Sequence, residues 1–321
     1  MSDVSLPSSG PSYGADAFWT PAQRFPQLWR SLLGLFLIHV TFFAATFGII
    51  LAGGALLGFN PQSVLDADTP AKTMVFFATF IGYHIGLWLV VRFLHKRPYR
   101  SLFGPTWKIR WRHFAYGMIA ALAVAVTTAI IETGGHLPGT GITPPDIFQH
   151  MGFARWITLL PFALGLIFLQ IMAEELVFRG YLLQQLRARF QRFWIWGLLP
   201  SLIFGVLHFD PTTYGINAYF YVLHTTVVGV ILSLITLRTG NIGAAAGLHM
   251  ANNSTLLVLG NEGSLDGLSL FLSAPDLTSP YVGASILMQT TASALAFALW
   301  WRLAPRTPKN PQAIANAVGE D

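Results

Sequence analysis

Hydrophobic residues in this 321-residue chain fall into long, nearly uninterrupted runs rather than into the alternating or one-sided patterns of water-soluble strands and helices. Eight runs are separated by polar or glycine- and proline-rich stretches, at about 31–58, 72–94, 113–132, 156–178, 193–209, 217–237, 241–260 and 280–303. Most approach the roughly 20 residues that a helix needs to cross a hydrocarbon core of about 30 Å. The fifth run is short, and the seventh is interrupted by Gly, His and Asn. The pattern predicts an all-α, polytopic membrane protein of about eight transmembrane helices. An even count puts both termini on one side.

Composition strengthens this reading. Only 10% of residues are charged and 53% are hydrophobic, against about 25% charged in a typical soluble domain. Too little polar surface remains to coat a globule in water. With no cysteine, disulfides, thiolate metal sites and cysteine nucleophiles are excluded. Residues 1–27 are rich in Ser, Pro, Gly and Ala and lack an apolar segment followed by a small-residue cleavage site. They are expected to form a disordered tail, as are residues 304–321. Between them lies a membrane domain over 28–303.

The net charge of +5 is a matter of distribution. With the N-terminus in the cytoplasm, 17 of the 19 Lys and Arg residues fall in cytoplasmic segments, and only Lys72 and Arg155 fall outside. This asymmetry is what the positive-inside rule requires, and a wrong helix count would scramble it. The basic residues therefore read as topology determinants and as contacts for anionic lipid heads, not as a nucleic-acid surface. The expected location is a membrane, with a bacterial inner membrane as the natural setting.

Charged groups inside apolar runs mark the candidate chemistry, because each costs roughly 2.5–3.5 kcal/mol on insertion scales. The fourth run reads IFLQIMAEELVFRGYLL, with Glu174 and Glu175 adjacent. Arg179 follows Glu175 by four residues, the spacing and order of a favourable helical ion pair. Glu174 is rotated about 100° from Glu175 and is expected to have no partner in its own helix. The fifth run ends in FGVLHFD, placing Phe204 and His208 at i, i+4, and the seventh contains GLHMANNS, placing His249 and Asn253 likewise. His208, His249 and Asn253 are candidate partners for Glu174. Counting from a turn near Gln191 puts Glu174 and His208 at similar depth. Gly243 and Gly247 form a small-xxx-small pair that lets the seventh helix approach a neighbour closely. His39, His84 and His224 read as interhelical hydrogen-bonding contacts.

The three spacings, Glu-Glu-x-x-x-Arg, Phe-x-x-x-His and His-x-x-x-Asn, in that order on separate helices, resemble the motifs of the CAAX prenyl protease type 2 family, also called the CPBP or Abi family. The likeness covers about residues 156–260. It implies an endopeptidase acting on a membrane-associated or lipidated peptide. By this analogy Glu174 and His208 activate the attacking water, and His249 and Asn253 donate hydrogen bonds to the tetrahedral oxyanion. Glu175, Arg179 and Phe204 support them. Glu174, His208 and His249 would also suit a zinc site with one open position, while the same residues suffice for a metal-free water. Two other classes remain compatible with buried carboxylates and histidines: a proton-coupled transporter, against which the lack of an inverted repeat counts, and a non-catalytic scaffold or immunity protein of the same fold.

Overall fold

The computed structural model describes residues 18–133, 146–263 and 265–303, and over these it is helical almost throughout. Eight helices carry the architecture: α1 (Leu28–Leu57), α2 (Pro70–Leu94), α3 (Trp111–Thr133), α4 (Phe153–Arg189), α5 (Trp194–Val206), α6 (Asn217–Thr239), α7 (Gly243–Val258) and α8 (Pro280–Leu303). Six of them, all but α5 and α7, are long and apolar enough to cross a membrane. Each of the eight apolar runs is thus helical. The fifth and seventh make helices of only 13 and 16 residues, shorter than a full span.

Local chemistry sets several boundaries. Thr69 caps α2, its side-chain oxygen accepting from the Lys72 backbone N–H, with Pro70 as the first helical residue. Helices α1 and α6 stop at Gly58 and Gly240, whose φ values of 75° and 62° are left-handed and free of steric penalty only for glycine. Helix α4 runs 37 residues, about 55 Å at 1.5 Å per residue. It exceeds a 30 Å core, so its end bearing Arg187 and Arg189 projects beyond one. Between Leu176 and Leu182 the helix widens into π geometry, a feature frequent at functional sites.

Helix α4 is the centre of the bundle. Its Ile167, Ile171, Leu176 and Tyr181 join Ile38 of α1, Leu87 and Val90 of α2 and Ala246 and Met250 of α7 in one buried cluster. Around it α3 packs on α7, α5 on α6, α1 on α2, and α8 on α6. The α3–α7 contact is close because Gly247 lies against the Phe114 carbonyl and Gly117 against that of Ala244, as the small-residue spacing predicts. The outward faces remain apolar: Phe36, Phe43 and Phe47 of α1, Ile119 and Ile130 of α3 and Leu295 of α8 are each more than 60% exposed, which suits lipid rather than water.

Two features depart from expectation. Residues 18–27 are not a tail: Phe18 is fully buried and packs with Trp19, Leu183, Leu186, Trp196 and Leu237, while the Arg187 guanidinium lies 4.2 Å from the centre of the Trp19 ring. The apolar pair Phe18–Trp19 sits in a polar stretch and fills a gap between α4, α5 and α6. Residues 1–17 and 304–321, expected as tails, lie outside the described residues. The second departure is a small sheet of β1 (Ile147–Gln149), β2 (Leu259–Asn261) and β3 (Phe271–Ser273), in the order β1–β3–β2. It is antiparallel between β1 and β3 and parallel between β3 and β2. The sheet ties the segment before α4 to the end of α7. Trp156 reinforces that link through a 2.8 Å bond from its ring N–H to the Leu257 carbonyl.

Candidate active site

The two adjacent glutamates meet different surroundings because a helix turns them apart. Glu175 is fully buried, and its Oε1 accepts two hydrogen bonds of 2.8 Å, one from Arg179 Nη1 and one from His249 Nδ1. The expected Glu175–Arg179 pair is therefore present, both members at 1% exposure or less. His249 of α7 joins them across the helix interface. A carboxylate only accepts, so His249 carries a proton on Nδ1, and its Nε2 faces the other carboxylate, 3.5 Å from Glu174 Oε2.

Glu174 does have a partner in its own helix, contrary to the expectation from its neighbours. Gln170, one turn earlier and buried, donates from Nε2 to Glu174 Oε1 at 2.6 Å. The same amide accepts at Oε1 from Asn253 Nδ2 at 2.9 Å. Asn253 thus reaches Glu174 through Gln170. The Glu174 side chain keeps 16% of its surface exposed, enough for a small molecule to touch it. Gln170 was visible as the one polar side chain in the run LGLIFLQIMA and stands four residues before Glu174; that helical spacing is the signal that identifies it.

His208 lies just past the end of α5. Its Nδ1 donates to the Phe204 carbonyl at 2.8 Å, which leaves the Nε2 lone pair free. No hydrogen bond or ion pair joins it to Glu174 among the described residues, so the expected direct meeting of the two is not made. The link is Phe204, whose ring centre stands 4.8 Å from that of His208 and 6.2 Å from that of His249. Arg179 lies 5.0 Å from the centre of the same ring, a cation–π distance. Asp210, two residues on, is turned to another task. It accepts from Thr212 and Thr213 at the start of the short helix Pro211–Tyr214, and the Thr212 hydroxyl bond first among these holds its pKa down to about 2.

Among the described residues no group of three His, Cys, Asp or Glu side chains is placed to hold a metal ion. Glu174, His208 and His249 are therefore not gathered as a ready three-ligand set. Three other histidines among the described residues, His39, His84 and His224, make contacts outside this cluster. His84 bridges the Tyr99 hydroxyl and the Leu169 carbonyl, and His224 meets Thr290 of α8. His39 bonds the Leu35 carbonyl of its own helix.

Residues 155–255, which contain Gln170, Glu174, Glu175, Arg179, Phe204, His208, His249 and Asn253, match the family model described as type II CAAX prenyl endopeptidase Rce1-like. Through this core the chain is similar to the Rce1-like family. It is also 29% identical over 263 residues to the uncharacterized protein YyaK of Bacillus subtilis (strain 168), across 77% of this chain and 83% of that protein. The match supports a CAAX-protease-like intramembrane endopeptidase at the level of the family, and the six long apolar helices support a multi-pass membrane protein. The likeness in motifs, the helical fold and the family match converge on the same stretch of chain.

Proposed function

We propose that the protein hydrolyses a peptide bond of a membrane-associated peptide by attack of a water activated by Glu174 and His208. The observation that carries this reading is the unequal treatment of the two glutamates. Glu175 is sealed between Arg179 and His249, whereas Glu174 keeps an exposed edge and one oxygen that faces His249 Nε2 at 3.5 Å. Such a carboxylate can accept a proton from water.

Glu174 Oε2 takes the proton as the water oxygen attacks the carbonyl carbon, and His208 Nε2 accepts a hydrogen bond from the same water. The negative charge moves to the former carbonyl oxygen. Asn253 has a second Nδ2–H beyond the one given to Gln170, and His249 donates from Nε2 as an imidazolium, with Glu175 on its other nitrogen. Two such donors stabilise the tetrahedral intermediate, at about 2.7–4 kcal/mol each in other acyl-transfer enzymes. Glu174 then returns its proton to the leaving amine, which breaks the C–N bond. The residues present supply each of these steps. In this reading the basic connections and both termini face the cytoplasm, the short α5 and α7 complete the eight-helix layout, and residues 28–303 form the membrane domain around the 156–260 core.

The test is cleavage of a membrane-tethered peptide by purified protein in liposomes. Glu174→Ala and His208→Ala are each expected to abolish cleavage while insertion and unfolding midpoint are retained. Full activity in either variant would overturn the assignment. Metal analysis of the same preparation, with cleavage measured with and without chelator, decides whether a metal takes part.

A further inference from the structure

From the chain of amide contacts around Glu174 we infer that Gln170 is a positioning residue, one that makes Asn253 present its N–H rather than its C=O to the reacting group. The inference rests on the endopeptidase reading above and concerns a residue outside the three motifs.

The argument is one of donor and acceptor direction. An ionised carboxylate has no proton to give, so the end of the Gln170 amide 2.6 Å from Glu174 Oε1 must be the NH₂ end. A carbonyl there would set two acceptors against each other. With Nε2 fixed on Glu174, Oε1 necessarily points across to α7, where it accepts from Asn253 at 2.9 Å. That contact requires the NH₂ end of Asn253 and turns its own Oδ1 away, toward Asn252 Nδ2 at 3.2 Å. The charge on Glu174 thereby dictates the orientation of Asn253 through one intervening side chain. An Asn amide without such a constraint can rotate by half a turn with little change of shape, and would then aim a carbonyl at a developing oxyanion. Gln170 is 5% exposed, so water does not readily take over its role. Its bond to Asn253 also ties α4 to α7, at the level where the attacking water must reach the substrate carbon and the oxyanion donor the substrate oxygen, each at about 3 Å.

Gln170→Met keeps the length and flexibility of the side chain and removes both amide contacts. Gln170→Glu keeps an acceptor for Asn253 but loses the donor to Glu174. Both are measured for cleavage of the membrane-tethered peptide, alone and combined with Asn253→Ala. Each is expected to lower kcat at least tenfold with KM changed less than about twofold, since the lost interaction bears on the transition state. In the Asn253→Ala background the further loss from Gln170→Met should shrink below about threefold, because the group being oriented is gone. A kcat within twofold of wild type for Gln170→Met, or an equal loss in both backgrounds, overturns the inference. Unfolding midpoints of the same four proteins (wild type, Gln170→Met, Asn253→Ala and the double variant) read the contact without turnover. Non-additive shifts support the Gln170–Asn253 bond, and additive shifts refute it. Absence of cleavage in wild type would therefore sink the endopeptidase reading while the midpoints still judge the orientation.

Discussion

Replacing Glu175 by Gln isolates the electrostatics at the centre of the bundle, since the amide has nearly the shape of the carboxylate and none of its charge. Oε1 of Glu175 takes bonds of 2.8 Å from both Arg179 and His249, and neither partner of the ion pair exceeds 1% exposure. Neutralising it strands a guanidinium in an apolar interior. Breaking a buried pair by removing one member typically costs about 3–5 kcal/mol. That is a fifth or more of the 5–15 kcal/mol that holds an ordinary domain folded. On the scale of domains of 150–250 residues, about 2–4 °C per kcal/mol, the unfolding midpoint should fall by about 6–20 °C.

The assay is thermal unfolding in one detergent of wild type, Glu175→Gln, Arg179→Met and the double variant. In the double variant the stranded guanidinium is removed with the carboxylate, so it should be more stable than Glu175→Gln alone despite carrying one more substitution. The penalty arises from isolating a charge, not from losing the pair. A Glu175→Gln midpoint within 2 °C of wild type, or a double variant less stable than either single one, would refute the account. Cleavage by Glu175→Gln should also fall, because His249 loses the counter-charge on Nδ1.

Two further expectations concern parts of the structure away from the glutamates. His95, beyond the end of α2, accepts from Gln185 on Nδ1 and bonds the Tyr181 hydroxyl through Nε2. Burial first, then the nearby Arg97 and Arg30, holds its pKa down to about 4. A depressed histidine resists a proton that the unfolded chain takes up at about pH 6.5, so stability should decline as pH falls from about 6.5 to 4. Unfolding midpoints across that window should show this slope in wild type and a shallower one in His95→Gln; parallel slopes would refute it. At the α3–α7 crossing, Gly247→Ala places a methyl group on the Phe114 carbonyl. Overpacking of this kind costs about 1–3 kcal/mol, and the midpoint should drop, whereas Gly165→Ala, with open space around it, should leave the midpoint unchanged or raise it. Equal effects of the two substitutions would contradict the close approach.

Much of the fold is legible from apolar run length alone. The runs at 72–94, 113–132 and 280–303 end within two residues of α2, α3 and α8, since little but a membrane helix tolerates such stretches. The fourth run is underestimated by eleven residues at its end. A charge at Arg179 reads as the edge of the apolar region, but Glu175 neutralises it and the helix continues to Arg189. The three-residue strands carry no periodicity long enough to detect, and Phe18–Trp19 is too short an apolar pair to stand out from a polar stretch. Within the site, the Glu175–Arg179 pair follows from spacing within one helix. The Gln170–Glu174 contact likewise follows from i, i+4 spacing. The reach of Asn253 to Gln170 and of His249 to both glutamates depends on how α4 and α7 cross, which spacing does not encode.

The adjacency of the two glutamates also bears on why such a site can work in an apolar setting. Creating a new charge in a medium of low dielectric is costly, but moving one over a short distance is much less so. In the proposed reaction Glu174 becomes neutral as water gives up its proton, and the negative charge reappears on the substrate oxygen a few ångströms away. In that reaction His249, with Nε2 3.5 Å from Glu174 Oε2, is assigned to the substrate oxygen, while Glu175 and Arg179 stay as a fixed, mutually compensated pair. The site charge is the same before and after attack, so the surrounding helices need not reorganise. A single glutamate could not serve both ends of this arrangement, because the carboxylate that holds His249 in place must remain charged while the other is protonated.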